Sequence, residues 1–302
     1  MKTEYLNQAR LMLRAMPYVA REDCFALKGG TAINFFLWDM PRLSVDIDLT
    51  YLPIEPRDES LRKISDALLR ISQSIGRDMP NISIRAGRIG GLMTKLVLRN
   101  SEGEVKIEPN LVIRGAVGEP VVRSLCRRAQ KKFELTASIK TLSEADLFGG
   151  KICAALDRQH PRDLFDIKYL FEKRGLTPEI RKTFIVYFIS HDRPMHEVID
   201  PNRKDVAAIF KSEFQDMTDE PVSYEELVEA REQLIKRLKA DLSVEEKRFL
   251  LSVKEGKPDW PLLGMDGIER LPAVQWKLKN IAKMDPAKRQ DYIEKLRKKL
   301  GL

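Results

Sequence analysis

The chain is poor in the residues that build disulfide frameworks and zinc sites. It has three cysteines and three histidines among 302 residues. Cys24, Cys126 and Cys153 are odd in number and lie in apolar or helical contexts, which indicates buried free thiols in a reducing cytoplasm. The histidines have no ligand spacing, and this excludes the common types of zinc site.

Long apolar runs and a secretory leader are also lacking. No stretch approaches the roughly 20 apolar residues that cross a bilayer as a helix. The first residues, MKTEYLNQARLML, do not show the pattern of a signal peptide. We therefore expect a cytoplasmic protein with no membrane segment.

Positive charge is in excess. The formal net charge is +8 and the isoelectric point is about 9.3, which favours a polyanionic partner such as nucleic acid, a nucleotide or an acidic membrane. Hydrophobic residues make up 43% of the chain, enough for a real core and two subdomains.

The most informative stretch is residues 25–49, FALKGGTAINFFLWDMPRLSVDIDL. Its first apolar residues predict the end of a buried strand, and Gly29 and Gly30 then allow a tight turn that a ligand can approach closely. Thr31 is a suitable cap for a short buried helix over residues 32–38. A glycine turn before a helix start is typical of phosphate binding through backbone N–H groups.

Two aspartates follow this turn at alternate positions. Residues 44–50 alternate in polarity, so a strand would direct Asp46 and Asp48 to the same face. Paired carboxylates suit Mg²⁺, which also takes substrate phosphates as ligands. A D-x-D motif alone favours an exposed strand edge, and it is the preceding glycine turn, with the arginine and serine ahead of the aspartates, that favours a metal site.

Three strand-like segments come next, at residues 82–85, 92–99 and 104–114. A hairpin is predicted at residues 100–103. In the last segment Glu108 shares a face with Lys106, opposite the core. Glu108 is a candidate third carboxylate, which could bind a metal and help to deprotonate an attacking hydroxyl. The alternative is a surface glutamate paired with the nearby lysine.

The pattern becomes helical after residue 140, where we place a domain boundary. The helix predicted over residues 143–156 carries Lys151 among apolar residues, so its ammonium either reaches the surface or contacts a triphosphate. The following R-D-L-F-D segment places Asp163 and Asp166 on one helix face. An aspartate near a helix start also stabilises the helix dipole, an alternative that explains Asp163 better than Asp166.

These motifs together resemble known enzymes. The G-G-T turn followed by D-I-D resembles the active-site signature of the DNA polymerase β nucleotidyltransferase superfamily. The segments LKGGTA, RLSVDIDL and RDLFD resemble more narrowly the AbiEii toxins of type IV toxin–antitoxin and abortive-infection systems. The resemblance implies an α+β protein: a polymerase-β-like nucleotidyltransferase domain with a mixed sheet at residues 1–140, then a C-terminal α-helical bundle at residues 141–302.

The resemblance also implies an activity. Such an enzyme moves NMP from an NTP to an RNA acceptor, here expected to be tRNA, inhibits growth and translation, and is neutralised by a cognate antitoxin. The implied catalytic residues are Asp46, Asp48, Glu108, Lys151, Asp163 and Asp166. Two Mg²⁺ ions are expected on Asp46, Asp48 and Glu108. The implied nucleotide-binding residues are Lys28, Gly29, Gly30, Thr31, Arg42 and Ser44. Which of Asp163 and Asp166 is essential stays open.

Two groups of basic residues could contact RNA or could be solvated surfaces. The first group is Arg123, Arg127, Arg128, Lys131 and Lys132. The second is C-terminal and comprises Lys277, Lys279, Lys283, Lys288, Arg289, Lys295, Arg297, Lys298 and Lys299. Positive charge concentrated in one terminal segment would suit docking of a polyanion the size of tRNA.

Two other functions remain open. The same fold could transfer phosphate or NMP to a protein. The chain could also be a non-catalytic nucleic-acid-binding module with a decayed site. The second alternative is disfavoured because the glycine turn, both aspartates of the D-I-D motif and the later lysine and aspartates are all present.

Overall fold

Seven short segments form one mixed β-sheet in the computed structural model, which describes residues 1–101 and 103–302. In chain order the strands are β1 (Phe25–Lys28), β2 (Ile47–Tyr51), β3 (Ser83–Ile89), β4 (Leu92–Asn100), β5 (Gly103–Asn110), β6 (Val121–Ser124) and β7 (Ser138–Thr141). Their order in the sheet is β3-β4-β5-β2-β1-β7-β6. Strand β2 is central: it pairs antiparallel with β1 and parallel with β5.

Helices cover this sheet and begin or end near its strands. They are α1 (Thr3–Val19), α2 (Gly29–Thr31), a π-helix (Ala32–Leu37), α3 (Arg57–Asp78) and α4 (Arg127–Phe133). Helix α1 contacts β5 and α3 contacts β4. Each buries an apolar face, and every buried leucine or isoleucine contributes roughly 1.5–3 kcal/mol. Helix α4 extends to Phe133, and β7 begins at Ser138.

The predicted pair of strands around residues 100–103 is present. Strands β4 and β5 are antiparallel, and Asn100 lies opposite Gly103 in their register. Asn100 Oδ1 accepts a hydrogen bond from the Gly103 N–H at 3.2 Å. Glu102, which belongs to the predicted turn, lies outside the described residues.

The rest of the chain is helical, as the sequence predicts. The helices are α5 (Glu144–Asp157), α6 (Pro161–Lys173), α7 (Pro178–Ile189), α8 (Met195–Val198), α9 (Ala207–Glu213), α10 (Tyr224–Asp241), α11 (Val244–Glu255), α12 (Pro272–Ala282) and α13 (Pro286–Leu300), with 3₁₀ turns at Trp260–Leu262 and Ile268–Arg270. Ser223 and Ser243 form capping boxes that start α10 and α11. No helix of the described chain has the length and apolar character needed to cross a membrane.

The contacts within the chain define two units. The first contains Met1–Leu147 and Glu213–Pro221, and the second contains Phe148–Ser212 and Val222–Leu302. The change from one unit to the other after residue 147 falls inside α5. The segment Glu213–Pro221 is thus separated in sequence from the rest of the first unit. The predicted division, with a single boundary after residue 140, does not include this separate segment.

Glu213–Pro221 is attached to the first unit by specific contacts. The Leu43 N–H donates to the carbonyl of Met217 at 2.8 Å, and the Lys2 N–H donates to the carbonyl of Asp216 at 3.1 Å. The carboxylate of Asp219 pairs with Arg128 at 2.5 Å. This pairing neutralises part of the first predicted basic group, so less of its charge is available to RNA.

Candidate active site

The glycine turn lies directly against the second aspartate of the D-I-D motif. Gly29 has φ +71°, a conformation that favours glycine, and a Cβ atom at this position would lie 2.7 Å from Asp48 Oδ2. The pairing of β1 with β2 places Lys28 opposite Asp48. Any larger residue at position 29 would therefore displace the carboxylate of Asp48.

Thr31 connects this turn to the segment before β2, but not as the predicted cap. The helical turn already begins at Gly29, and Thr31 lies within it. The Thr31 hydroxyl donates to the carbonyl oxygen of Asp46 at 2.5 Å and lies 3.0 Å from Ser44 Oγ. Thr31 and Ser44 are both buried, so this contact fixes the glycine turn relative to the D-I-D motif.

Arg42 lies beneath the glycine turn. Its side chain is among the largest fully buried ones, and a Cβ atom at Gly30 would lie 2.6 Å from Arg42 Nη2. Arg42 Nη1 donates to the carbonyl of Leu43 at 2.8 Å. The sequence predicts direct contact between Arg42 and a triphosphate, whereas this burial favours support of the turn from below.

Asp48 and Glu108 lie side by side on neighbouring parallel strands. In the register of β2 and β5, Asp48 is opposite Glu108 and Ile47 is opposite Ile107. The two isoleucines are fully buried, while both carboxylates are partly exposed. Asp46 precedes β2, so the predicted strand over residues 44–50 begins three residues too early.

Glu108 has a cationic neighbour, although not the one predicted. Lys95 Nζ on β4 lies 3.6 Å from Glu108 Oε1, and both side chains are more than 40% exposed. Lys106, the predicted neighbour, points to solvent from the same strand as Glu108. Such an exposed pair contributes about 0–1 kcal/mol, so Glu108 can exchange Lys95 for another cation at little cost.

The acidic pair suits a hard divalent cation. Mg²⁺ is usually held by one or two carboxylates together with substrate phosphates and water, and Asp48 and Glu108 supply such carboxylates on one face of the sheet. Within residues 1–101 and 103–302, no three acidic, cysteine or histidine side chains are placed to hold a metal ion by themselves. The donor set therefore fits a metal that shares its ligands with a nucleotide, rather than a closed protein site.

The second group of predicted site residues forms a buried ionic cluster within the helical unit. Lys151 Nζ on α5 lies 2.8 Å from Asp163 Oδ1 and 2.9 Å from Asp166 Oδ2, both on α6. Arg158 adds a bidentate pair with Asp163, at 2.5 and 3.0 Å. The side chains of Lys151, Asp163 and Asp166 are at most 5% exposed. We name these four residues the Lys151 cluster.

Charge compensation explains the burial of this cluster. Burial alone would raise the pKa of Asp163, but the charges of Lys151 and Arg158 outweigh it and hold that pKa well below its usual range. The prediction that Lys151 extends to the surface is wrong. The cluster also gives Asp166 a partner, which the helix-dipole interpretation lacked.

Two contributors were not identified from the sequence. Asn34 is fully buried, and its Nδ2 donates to the carbonyl of Gly30 at 2.9 Å, which holds the glycine turn from its helical side. The spacing of four residues between Gly30 and Asn34 is the signal that could have indicated this contact. Arg158 is the second contributor, and its guanidinium holds the carboxylate of Asp163. His160 starts the same helix, since its Nδ1 accepts from the Arg162 N–H and caps α6.

Comparisons with known proteins show the fold. The chain, with its mixed sheet and many helices, has the fold of a nucleotidyltransferase toxin. Among solved structures, the chain is similar to MenT4, a nucleotidyltransferase toxin from Mycobacterium tuberculosis H37Rv, with a TM-score of 0.58 and 16% identity over 93% of this chain and 95% of that one. A search of curated proteins found no match.

The family follows from a model match over most of the chain. The model of the nucleotidyl transferase AbiEii toxin family, of type IV toxin–antitoxin systems, matches residues 10–280. The chain therefore belongs to the AbiEii family. This confirms the resemblance drawn from its motifs, and the solved structure confirms the α+β fold class.

Proposed function

We propose that the protein transfers an NMP unit from an NTP to an RNA acceptor, with tRNA as the expected acceptor. The observation that carries this proposal is the pairing of Asp48 with Glu108 beneath the Gly29 turn. A reaction between a metal-bound triphosphate and a hydroxyl needs carboxylates for the metal and backbone N–H groups for the phosphates. The acidic pair and the glycine turn would supply these groups from neighbouring parts of the sheet.

The residues of the first unit divide the chemistry between them. Backbone N–H groups at Gly29, Gly30 and Thr31 would hold the β- and γ-phosphates, and Lys28 would add a positive charge. The acceptor hydroxyl oxygen forms a bond to the α-phosphorus while the bond from that phosphorus to pyrophosphate breaks. Glu108 would accept the hydroxyl proton.

Magnesium would contribute charge neutralisation at this site. Asp46, Asp48 and Glu108 would hold the ions, which stabilise the attacking and leaving oxygens when bound. The Asp48 carboxylate lies against the glycine turn, so an ion held by Asp48 would be close to the phosphates. Ser44 and Arg42 would act from below, through Thr31 and Gly30 respectively.

The net charge of the chain supports RNA as the acceptor, and the family supports an antitoxin as the regulator. The net charge of +8 suits an RNA substrate. A type IV family member implies an antitoxin that neutralises growth inhibition in the cytoplasm. The name of MenT4 describes a nucleotidyltransferase toxin, in agreement with this proposal.

The proposal is tested by incubating the protein with each NTP, labelled at the α- or γ-phosphate, with total RNA, purified tRNA or no RNA. We expect α-label on RNA, dependent on Mg²⁺ and lost in Asp48→Ala. Asp66→Ala is the matched control, because Asp66 is an exposed aspartate of the same unit. Label on protein without RNA would instead indicate a protein-modifying enzyme, and unchanged transfer by Asp48→Ala would refute the assigned site.

A further inference from the structure

A buried lysine in the second unit lacks an acidic partner. Lys254 on α11 is 3% exposed, yet no carboxylate of the described residues forms an ion pair with it. Its ammonium contacts the thioether sulfur of Met284 at 3.8 Å and lies 4.5 Å from the centroid of the Tyr292 ring. An ammonium has three N–H donors, and a thioether and a ring face are weak acceptors. Lys254 therefore retains donor capacity for a stronger acceptor.

Other cationic and polar groups surround the same ring. The ammonium groups of Lys288 and Lys295 lie 5.6 and 5.9 Å from the ring centroid. His196 on α8 packs edge-on against the ring at 4.6 Å, and its buried Nδ1 has no hydrogen-bond partner among residues 1–101 and 103–302. We name Lys254, Lys288, Lys295, His196 and Tyr292 the Tyr292 cluster.

Positive charge exceeds negative charge in the Tyr292 cluster. Lys295 is neutralised by Asp291 at 2.6 Å, while Lys288 has no acidic partner in the part of the chain that the structure describes. Burial first, and then the charges of Lys277 and Lys288, lower the pKa of Lys254 to about 8. An anion placed among these cations would reverse that repulsion and accept the spare hydrogen bonds.

We propose that the Tyr292 cluster binds a phosphate group, with Lys254 at the base of the site and the exposed Lys288 and Lys295 at its rim. A tetrahedral oxyanion offers several acceptors at once, which suits the ammonium groups that α11 and α13 present around the Tyr292 ring. The shared chemistry is phosphate, whether free or in a nucleic-acid backbone. The backbone form rests on the proposed function, whereas phosphate binding by itself does not.

The test measures thermal stabilisation of the full-length protein by inorganic phosphate at pH 7 and constant ionic strength, without nucleotide or metal. Lys254→Met removes the buried charge and keeps the length of the side chain. The matched control is Lys298→Met, an exposed lysine of α13 that lies outside the cluster. We expect the apparent phosphate affinity to fall about tenfold or more in Lys254→Met and to be unchanged in the control.

Further arms separate this site from the candidate active site. Asp66→Ala, a change at an exposed position of the first unit away from the glycine turn, should respond to phosphate like the wild type. Lys288→Gln, a substitution at an exposed position, should weaken binding by a few-fold and keeps the test decisive if Lys254→Met folds poorly. Equal phosphate responses in all variants, no response in the wild type, or an equal response to acetate would overturn the proposal.

A short single-stranded oligoribonucleotide distinguishes the two sources of phosphate. If its affinity and the salt dependence of its binding both decrease in Lys254→Met, the site takes a backbone phosphate. If RNA binding is unchanged while the response to inorganic phosphate is lost, the site takes free phosphate.

Discussion

Two pairs of acidic residues predicted for the site, one pair in each unit, lie in opposite environments. Asp48 and Glu108 are partly exposed, and Lys95, which pairs with Glu108, is a solvent-exposed lysine. Asp163 and Asp166 are buried, and Lys151 lies between them. An accessible pair can exchange its partner for a metal, whereas a buried, neutralised group holds helices together. The number of acidic residues in a motif is therefore less informative than their partners.

The largest expected effect on stability follows from breaking the buried group. Lys151→Met leaves two carboxylates buried without their shared cation, and we expect a loss of roughly 3–5 kcal/mol in the free energy of unfolding. Lys236→Met is the control, since Lys236 is an exposed lysine of the same unit. Asp48→Ala should change stability by less than about 1 kcal/mol. Urea denaturation measures all three, and a Lys151→Met protein as stable as wild type would contradict the comparison.

Low pH should also distinguish the buried aspartates from the accessible acidic pair. Because Lys151 and Arg158 depress the pKa of folded Asp163, its stabilising contribution is present above the unfolded pKa of about 3.9 and is lost as pH falls through the folded value. Between pH 5 and 2, wild type should lose stability more steeply than Asp163→Asn, by up to about 1.4 kcal/mol per pH unit. Parallel curves for the two proteins would contradict this.

Alkaline pH tests Lys254, whose contribution to the unfolding free energy should become more favourable as the pH rises above neutrality. The groups that face it are His196 on α8, Lys277 on α12, and Lys288 and Tyr292 on α13. Its folded pKa of about 8 lies below the unfolded value of about 10.4, so the unfolded chain binds more protons and this lysine's contribution to stability rises with pH between them. The difference in unfolding free energy between wild type and Lys254→Met should show this rise. Taking the difference cancels the contributions of the cysteine thiols, whose pKa values burial raises.

The smallest expected effect on stability is at the accessible pair. Lys95→Gln should change the free energy of unfolding by less than about 1 kcal/mol and leave nucleotidyl transfer largely intact. Glu108→Gln should be equally stable but lose on the order of 10²-fold in transfer rate, because an amide cannot accept the hydroxyl proton. Rates measured with α-labelled NTP decide between these outcomes. Equal loss in both variants would indicate that the ion pair, not the carboxylate, matters.

Local pattern was sufficient for the first half of the candidate site. The Gly29–Gly30 turn and the alternation around Asp48 were predictable because both depend on neighbouring residues. The prediction that Thr31 caps a helix is wrong because it used only neighbouring residues. The Thr31 hydroxyl donates instead to the Asp46 carbonyl, fifteen residues away, a contact that local capping rules do not include. The parallel pairing that places Glu108 beside Asp48 also depends on the whole sheet, so the sequence predicted its face but not its neighbour.

Long-range pairing explains the other differences. The sequence offered Lys151 a choice between the surface and a ligand, but it could not show that two aspartates of the next helix would enclose the ammonium. The helices of the second half were predictable from capping residues such as Ser223 and Ser243. The membership of Glu213–Pro221 in the first unit could not be predicted, because a short irregular segment has no periodic pattern that indicates which residues it will contact.

The membership of Glu213–Pro221 in the first unit has a practical consequence for experiments on shortened forms of the protein. A shortened chain that stopped at residue 147 would lack the carbonyl of Met217, which accepts from Leu43 one residue away from Arg42. The backbone that supports Gly30 would then lose an anchor supplied from far downstream. Isolating the first unit therefore requires joining Glu213–Pro221 to it through a linker, and a failed truncation would reveal nothing about catalysis.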